Sequence, residues 1–178
     1  MMQKLLDIYE RLLFHTLFFY FHKNYCMRKY ISIIACFFLI AFNANAQSAE
    51  DSVKATINKL FAAMKNGDSK ALVECFTDSA ILQSVTEKDG KVTVQTEIIK
   101  EFADFVGTQK QGDADERISF DMVKTDGALA VAWTPYQFYY KGQFSHCGVD
   151  SYQLVRINGE WKIQYIIDTR RKANCGQP

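Results

Sequence analysis

The chain has 178 residues, with 21 Lys and Arg against 20 Asp and Glu, a formal net charge of +1. That balance lacks the basic stripe a nucleic-acid partner needs. There is no internal repeat, low-complexity tract or proline-rich linker, so a second folded domain is not expected.

Residues 1–26 carry an apolar patch, Leu12 to Phe21, ahead of Met27, and read as an upstream mis-start or a leader. After Met27 come Arg28 and Lys29, then a run from Ile31 to Phe42 that is apolar except for Ser32, then Ala44-Asn45-Ala46. A basic end, a short apolar core and a small-x-small site describe a signal peptide over 27–46. Its core is too short for the roughly twenty residues that span a bilayer. Membrane contact is therefore expected only during export, and the mature protein is expected to be periplasmic or secreted. Ile33-Ile34-Ala35-Cys36 resembles a lipoprotein cleavage box, but the apolar run continues past Cys36. Five of the basic and two of the acidic residues precede residue 47, which leaves residues 47–178 slightly acidic and of single-domain length.

Ser48 with Asp51 approximates a capping box, and Val53, Ile57, Leu60, Phe61 and Met64 fall on one helical face. Asn66-Gly67 stops that helix. Asp68 or Ser69 starts a second, with Leu72, Val73, Cys75 and Phe76 inward. Ala80 to Val85 reads as a strand, Lys88 to Lys91 as a turn and Val92 to Gln95 as a weak returning strand. Thr96 is expected to cap a third helix through Ile98, Ile99, Phe102, Phe105 and Val106, ended by Gly107. The polar run from Thr108 to Glu116 reads as a loop.

From Arg117 the period changes to two. Ile118, Phe120 and Met122 alternate, Asp126-Gly127 turns, Ala128 to Tyr140 forms a long strand and Lys141-Gly142 turns again. Asn158-Gly159 between alternating runs is a strong hairpin signal. Uninterrupted counting from it pairs Leu154 with Ile163, Tyr152 with Tyr165 and Asp150 with Ile167. From the Lys141-Gly142 turn it sets Gln137 opposite His146, Trp133 opposite Asp150 and Val131 opposite Tyr152. One face then holds His146, Asp150, Tyr152, Leu154, Trp161, Ile163, Tyr165 and Ile167, joined by Leu129, Val131, Trp133, Gln137 and Tyr139. Ser151, Gln153, Asp168 and Arg170 fall on the solvated face. Pro135 removes a ladder donor and marks an edge or a bulge, which would shift the register beyond it.

Asp150 is the candidate general base or acid, because burial among Trp133, Tyr152 and Tyr165 would raise its pKa. His146, the accompanying catalytic candidate, lies four residues away, about 13 Å along an extended strand, so no ready-made dyad is evident. In the bland reading Asp150 bonds backbone or Arg171 and His146 caps the rim. Trp133, Tyr152, Tyr165, Gln137 and Arg171 are the ligand-binding candidates; Arg171 can clamp an anion, and otherwise ends the strand in solvent. Tyr136, Tyr139 and Tyr140 beside Phe138 make both faces of their strand aromatic, which fits one buried face and one meeting a second subunit. Of Cys75, Cys147 and Cys175, the last two could be joined by a returning tail; spacing leaves this open. Cys75 reads as a buried thiol. One histidine after residue 46 and no CxxC pair give no metal site, and no cofactor motif is present.

Helices followed by an antiparallel sheet make an α+β layout. This order, with Cys75-Phe76-Thr77-Asp78-Ser79-Ala80 entering the first strand and Trp161-Lys162-Ile163 the last, resembles the nuclear transport factor 2-like superfamily over roughly Ser48 to Arg171. Ser145-His146-Cys147-Gly148-Val149-Asp150 with Asp168-Thr169-Arg170-Arg171 resembles its secreted bacterial branch labelled "putative lumazine-binding". The resemblance implies a cone-shaped fold in which N-terminal helices pack on a strongly bent antiparallel sheet around a cavity. Members include ketosteroid isomerase, scytalone dehydratase, limonene epoxide hydrolase and polyketide cyclases, together with binding proteins that do no chemistry. Fold alone does not choose among these. Two readings stay open: an exported domain holding a small molecule in an apolar cavity, working as a homodimer, or an isomerase, dehydratase or cyclase using Asp150. A scaffold whose cavity is filled by side chains is a third.

Overall fold

The computed structural model describes residues 49–176; the leader, the signal segment and the Ser48 cap lie outside the described residues. Helix α1, residues 49–66, buries Val53, Ile57, Leu60 and Met64 as its periodicity requires. Gly67 ends it at φ +69°, where a β-carbon would meet the Gln109 carbonyl oxygen at 2.6 Å. Asp68 then caps α2, Ser69–Val73, by accepting from the Ala71 N–H at 2.9 Å. This helix is too short to bury Val73 beside Leu72, and Val73 faces solvent.

Strand β1, Phe76–Lys88, turns through Asp89 and Gly90, both at positive φ, into β2, Lys91–Glu97. Thr96 is a β2 residue paired with Gln83, so it caps nothing, and α3, Ile99–Gly107, begins after Ile98 without a side-chain cap. The remaining strands are β3, Ala114–Ile118; β4, Met122–Asp126; β5, Leu129–Tyr140; β6, Gln143–Ile157; and β7, Glu160–Arg170. Strand β3 thus takes up the end of the segment expected to be a loop.

The seven strands form one curved sheet in the order β2-β1-β7-β6-β5-β3, with β4 also on β5. Every pair is antiparallel except β1 with β7, so the sheet is mixed. Pro135 sits where the outer neighbour of β5 changes from β3, which reaches Tyr136, to β4, which starts at Trp133; its missing N–H costs no ladder bond there. Val53, Ile57, Leu60, Leu72, Val106, Ala130, Ala132, Tyr152, Leu154 and Ile163 belong to the core between the helices and the concave face.

Two bulges decide which side chains that face receives. Leu154 pairs with Ile163 but Gln153 pairs with Tyr165, which leaves Gln164 unpaired. From there the phase of β7 reverses: Tyr152 faces Ile166 and Asp150 faces Asp168, not Tyr165 and Ile167. In β6, Ser145 is the extra residue between Phe144, opposite Tyr139, and His146, opposite Phe138. Asp150 therefore faces Thr134 rather than Trp133, and Tyr152 faces Ala132 rather than Val131.

Candidate functional site

A cavity of about 500 Å³ opens between α1, α3 and the concave sheet, inside the range of small-molecule sites. Leu60, Phe61 and Met64 of α1, Phe102 and Phe105 of α3, and Leu82, Phe138 and Ile166 of the sheet line it. Its polar lining is Thr96, Glu97, Glu116, Tyr136, His146, Asp150, Tyr152, Asp168 and Arg170, with Glu101 on α3.

Asp150 is buried, and its Oδ2 accepts from the Thr134 hydroxyl at 3.0 Å and the Tyr152 hydroxyl at 3.2 Å. Burial pushes its pKa up to about 7; those two donors hold it down against the neighbouring Asp168 charge. Tyr136 lies 3.0 Å from Asp168 Oδ2 and 2.9 Å from the Thr169 carbonyl oxygen, sharing its hydroxyl proton between them. Arg170 Nε donates to Asp168 Oδ2 at 2.8 Å and its Nη2 to Glu97 Oε1 at 2.7 Å, where the Ser84 hydroxyl also donates at 3.2 Å. Asp168 is only 5% exposed, and its Oδ1 has no hydrogen-bond partner among the described residues. Glu116 reaches the cavity from β3, and loss of water, then the Asp150 and Asp168 charges, raise its pKa well above the carboxylate range. Burial, then Arg170, lowers the pKa of His146, whose ring lies 5.7 Å from Tyr136 and 5.1 Å from Phe138.

Chemically this is an apolar bowl whose floor carries more carboxyl groups than cations. Asp150 with the Tyr152 hydroxyl is a group able to accept or give a proton at neutral pH beside a hydrogen-bond donor. Among the described residues no group of three or more His, Cys, Asp and Glu is arranged to hold a metal ion, and no helix is long and apolar enough to cross a membrane.

Asp150, His146 and Tyr152 line the cavity together, although His146 Nδ1 contacts the Ser145 hydroxyl at 3.0 Å and not Asp150. Asp150 bonds Thr134 and Tyr152, so the expected contact with backbone or Arg171 gives way to these hydroxyls. Four other candidates lie elsewhere. The Gln164 bulge turns Tyr165 outward, where its hydroxyl donates to Gln83 Oε1 at 2.7 Å. The Ser145 bulge turns Trp133, 43% exposed, and Gln137, which donates to the Gly176 carbonyl oxygen at 3.0 Å, to the convex side. Arg171 pairs with Cys147 beyond the ladder and donates to the Asn174 carbonyl oxygen at 3.3 Å. Conversely, Asp168 and Arg170 are not a solvated strand end; they form the cavity floor. Cys147 and Cys175 are joined, their Cα atoms 5.8 Å apart, and Cys75 is a buried free thiol.

The residues missed in the sequence had traces there. Counting the alternation of Ile118 and Phe120 two residues back lands on Glu116, and the adjacent pair Ile166-Ile167 breaks the period of two where a bulge has reversed it. Thr134 and Tyr136 carried no separate signal; their placement follows from the Ser145 bulge alone.

Solved structures share this architecture. A nuclear transport factor 2-like protein with a cystatin-like fold from Novosphingobium aromaticivorans superposes with a TM-score of 0.59 at 13% identity, covering 76% of this chain and 90% of that one. A nuclear transport factor 2-like protein of unknown function from Shewanella baltica gives 0.55 at 16%, covering 71% and 96%. A cystatin-like domain of unknown function from Nostoc punctiforme gives 0.53 at 18%, covering 71% and 80%. At such identities the likeness concerns the fold. No curated protein matches the chain. The sequence itself matches, over residues 48–165, the family described as "Putative lumazine-binding". That match takes in the helices, strands β1 to β6 and the first half of β7, and the chain belongs to this family.

Proposed function

We infer that residues 47–178 are an exported domain that binds a small molecule, its apolar body between Phe61, Phe102, Phe105 and Phe138 and its polar end on the carboxyl floor. The observation that carries this reading is the open 500 Å³ cavity, which a scaffold filled by its own side chains would lack. The family description supports small-molecule binding as well. Export rests on the basic, apolar and small-x-small order of 27–46, and homodimer formation on the exposed Leu129, Trp133 and Phe144. Native mass spectrometry of protein from an exporting host tests all three: a chain beginning at Gln47, twice the chain mass, and a retained ligand lost on denaturation. A full-length precursor, a monomer or a ligand-free species at every stage would each refute its part.

A second reading, acid-base catalysis on the bound molecule, is favoured by Asp150, whose pKa of about 7 sits beside the Tyr152 hydroxyl. Asp150→Asn preserves shape and both hydrogen-bond acceptor contacts. Unchanged ligand affinity with turnover reduced by about 10²-fold or more favours the enzyme; conversion unaffected by the substitution rules it out.

A further inference from the structure

The floor of the cavity is unevenly charged, and the imbalance has a direction. Glu97 of β2, Glu116 of β3, Asp150 of β6 and Asp168 of β7 converge there, with Glu101 of α3 on the wall. Arg170 is the cation among the lining residues, and its guanidinium is already committed to Asp168 Oδ2 and Glu97 Oε1. His146 adds no charge, because burial and Arg170 favour its neutral form. Tyr136 and Tyr152 aim their hydroxyl protons at Asp168 and Asp150, so neither offers a donor that would hold an anion. Lys172 acts on His146 from beyond the end of β7.

Asp168 and Glu116 keep acceptor capacity. Asp168 lines the cavity, and its buried Oδ1 has no hydrogen-bond partner among the described residues, which costs free energy. The Glu116 carboxyl lies in the same lining and forms no ion pair among the described residues, Lys65 and Arg117 pairing with the neighbouring Asp115 instead. Resting on the small-molecule reading above, we propose that this pocket selects a ligand with an apolar, ring-sized body and a protonated amine at one end, the ammonium seated against the Asp168 and Glu116 carboxyl groups of the lining.

Such a ligand replaces protons by a cation. Without such a ligand Glu116 and Asp150 stay protonated above the ordinary carboxylate range, because burial first and then the Asp168 charge, joined at Glu116 by that of Asp150, oppose their ionisation. An ammonium group beside them lowers both pKa values, so binding releases protons and tightens as pH rises toward 8. Charge-assisted hydrogen bonds to a desolvated carboxylate give the amine about tenfold or more over a neutral isostere.

The probes are 1-naphthylmethylamine, 1-naphthylmethanol and 1-naphthoate, which share a ring body and differ in the charge of the polar end. Calorimetry on the purified disulfide-bonded protein, at pH 5.5 and 8 and in two buffers of different ionisation enthalpy, reads affinity and proton release. The expected result is an amine preference of about tenfold or more at pH 8, net proton release, and an amine-to-alcohol affinity ratio that falls toward one in Glu116→Gln. Equal or tighter binding of the alcohol or the carboxylate overturns the amine assignment while leaving a binding cavity in place. If none of the three binds, the cavity reading falls, and the amine assignment falls with it.

Discussion

Gly148 shows how one residue type sets the site. A β-carbon there would fall on the Thr169 carbonyl oxygen and come 2.8 Å from Tyr136 Cε1, so the absent side chain is what lets β6, β7 and the Tyr136 ring meet. Gly148→Ala must push the Tyr136 hydroxyl off Asp168, and a loss of about 1–3 kcal/mol is expected by analogy with overpacked cores, read as a lower urea midpoint at unchanged slope. A wild-type midpoint would mean that the strands part without cost. Asp150 supplies the pH dependence. Its folded pKa of about 7 exceeds the ordinary aspartate value of 3.8, so between those values the native state binds a proton that the unfolded chain has released. Stability then falls as pH rises from about 4 to 7, by up to about 1.4 kcal/mol per unit for this group, and is flat in this term above the folded pKa. Asp150→Asn should flatten that descent; a parallel pH profile for the variant would remove Asp150 as its source.

At the scale of elements, the site depends on bulges more than on strands. Gln164 is held in its unpaired position by its own side chain, which accepts from the Thr77 hydroxyl at 2.8 Å and donates to the Ser79 carbonyl oxygen at 3.1 Å. Those partners lie in β1 between Phe76 and Ile81, where the β1–β7 register also slips, so two irregularities lock each other. Gln164→Ala is expected to cost about 1–3 kcal/mol, the range for removing hydrogen bonds that serve partly buried groups, with far-ultraviolet circular dichroism retained. A neutral substitution would show that the bulge is fixed by packing alone. The same feature explains what could be read in advance. The hairpin turns at Asp126-Gly127, Lys141-Gly142 and Asn158-Gly159 are written in local sequence, as is the inward stripe of Val53, Ile57, Leu60 and Met64. Each depends on residues within a turn or two of one another. Whether Tyr165 or Ile166 faces inward depends on Gln164 finding Thr77 and Ser79, contacts 85 or more residues away, and a count along one strand cannot register them. Asp150, His146 and Tyr152 were legible because they lie between the two bulges on β6, whose phase the count followed correctly; Trp133, Gln137 and Tyr165 were not, because each lies across a bulge.

At the scale of the whole unit, the C-terminal tail closes the edge of the site from behind. Asn174 takes a left-handed φ of +54°, turning the chain so that Cys175 reaches Cys147 and the Gly176 carbonyl oxygen reaches Gln137. Cys147 stands between His146 and Gly148, and the 28-residue separation encloses the β6–β7 hairpin that carries both Asp150 and Asp168. Cross-linking a loop of that length removes unfolded-chain entropy worth about 3–4 kcal/mol in the chain-entropy model. The gain belongs to an oxidising compartment, which accords with the export proposed above. Cys175→Ser is therefore expected to lower the unfolding free energy by about 2–4 kcal/mol under non-reducing conditions, and a reductant should bring wild type down to the variant while leaving the variant unchanged. Cys75, buried with its thiol 3.3 Å from the Ala71 carbonyl oxygen, does not enter this exchange. If wild type and Cys175→Ser unfold at the same urea concentration without reductant, the tail contributes no constraint, and the floor must hold its geometry through Gly148 and Gln164 alone.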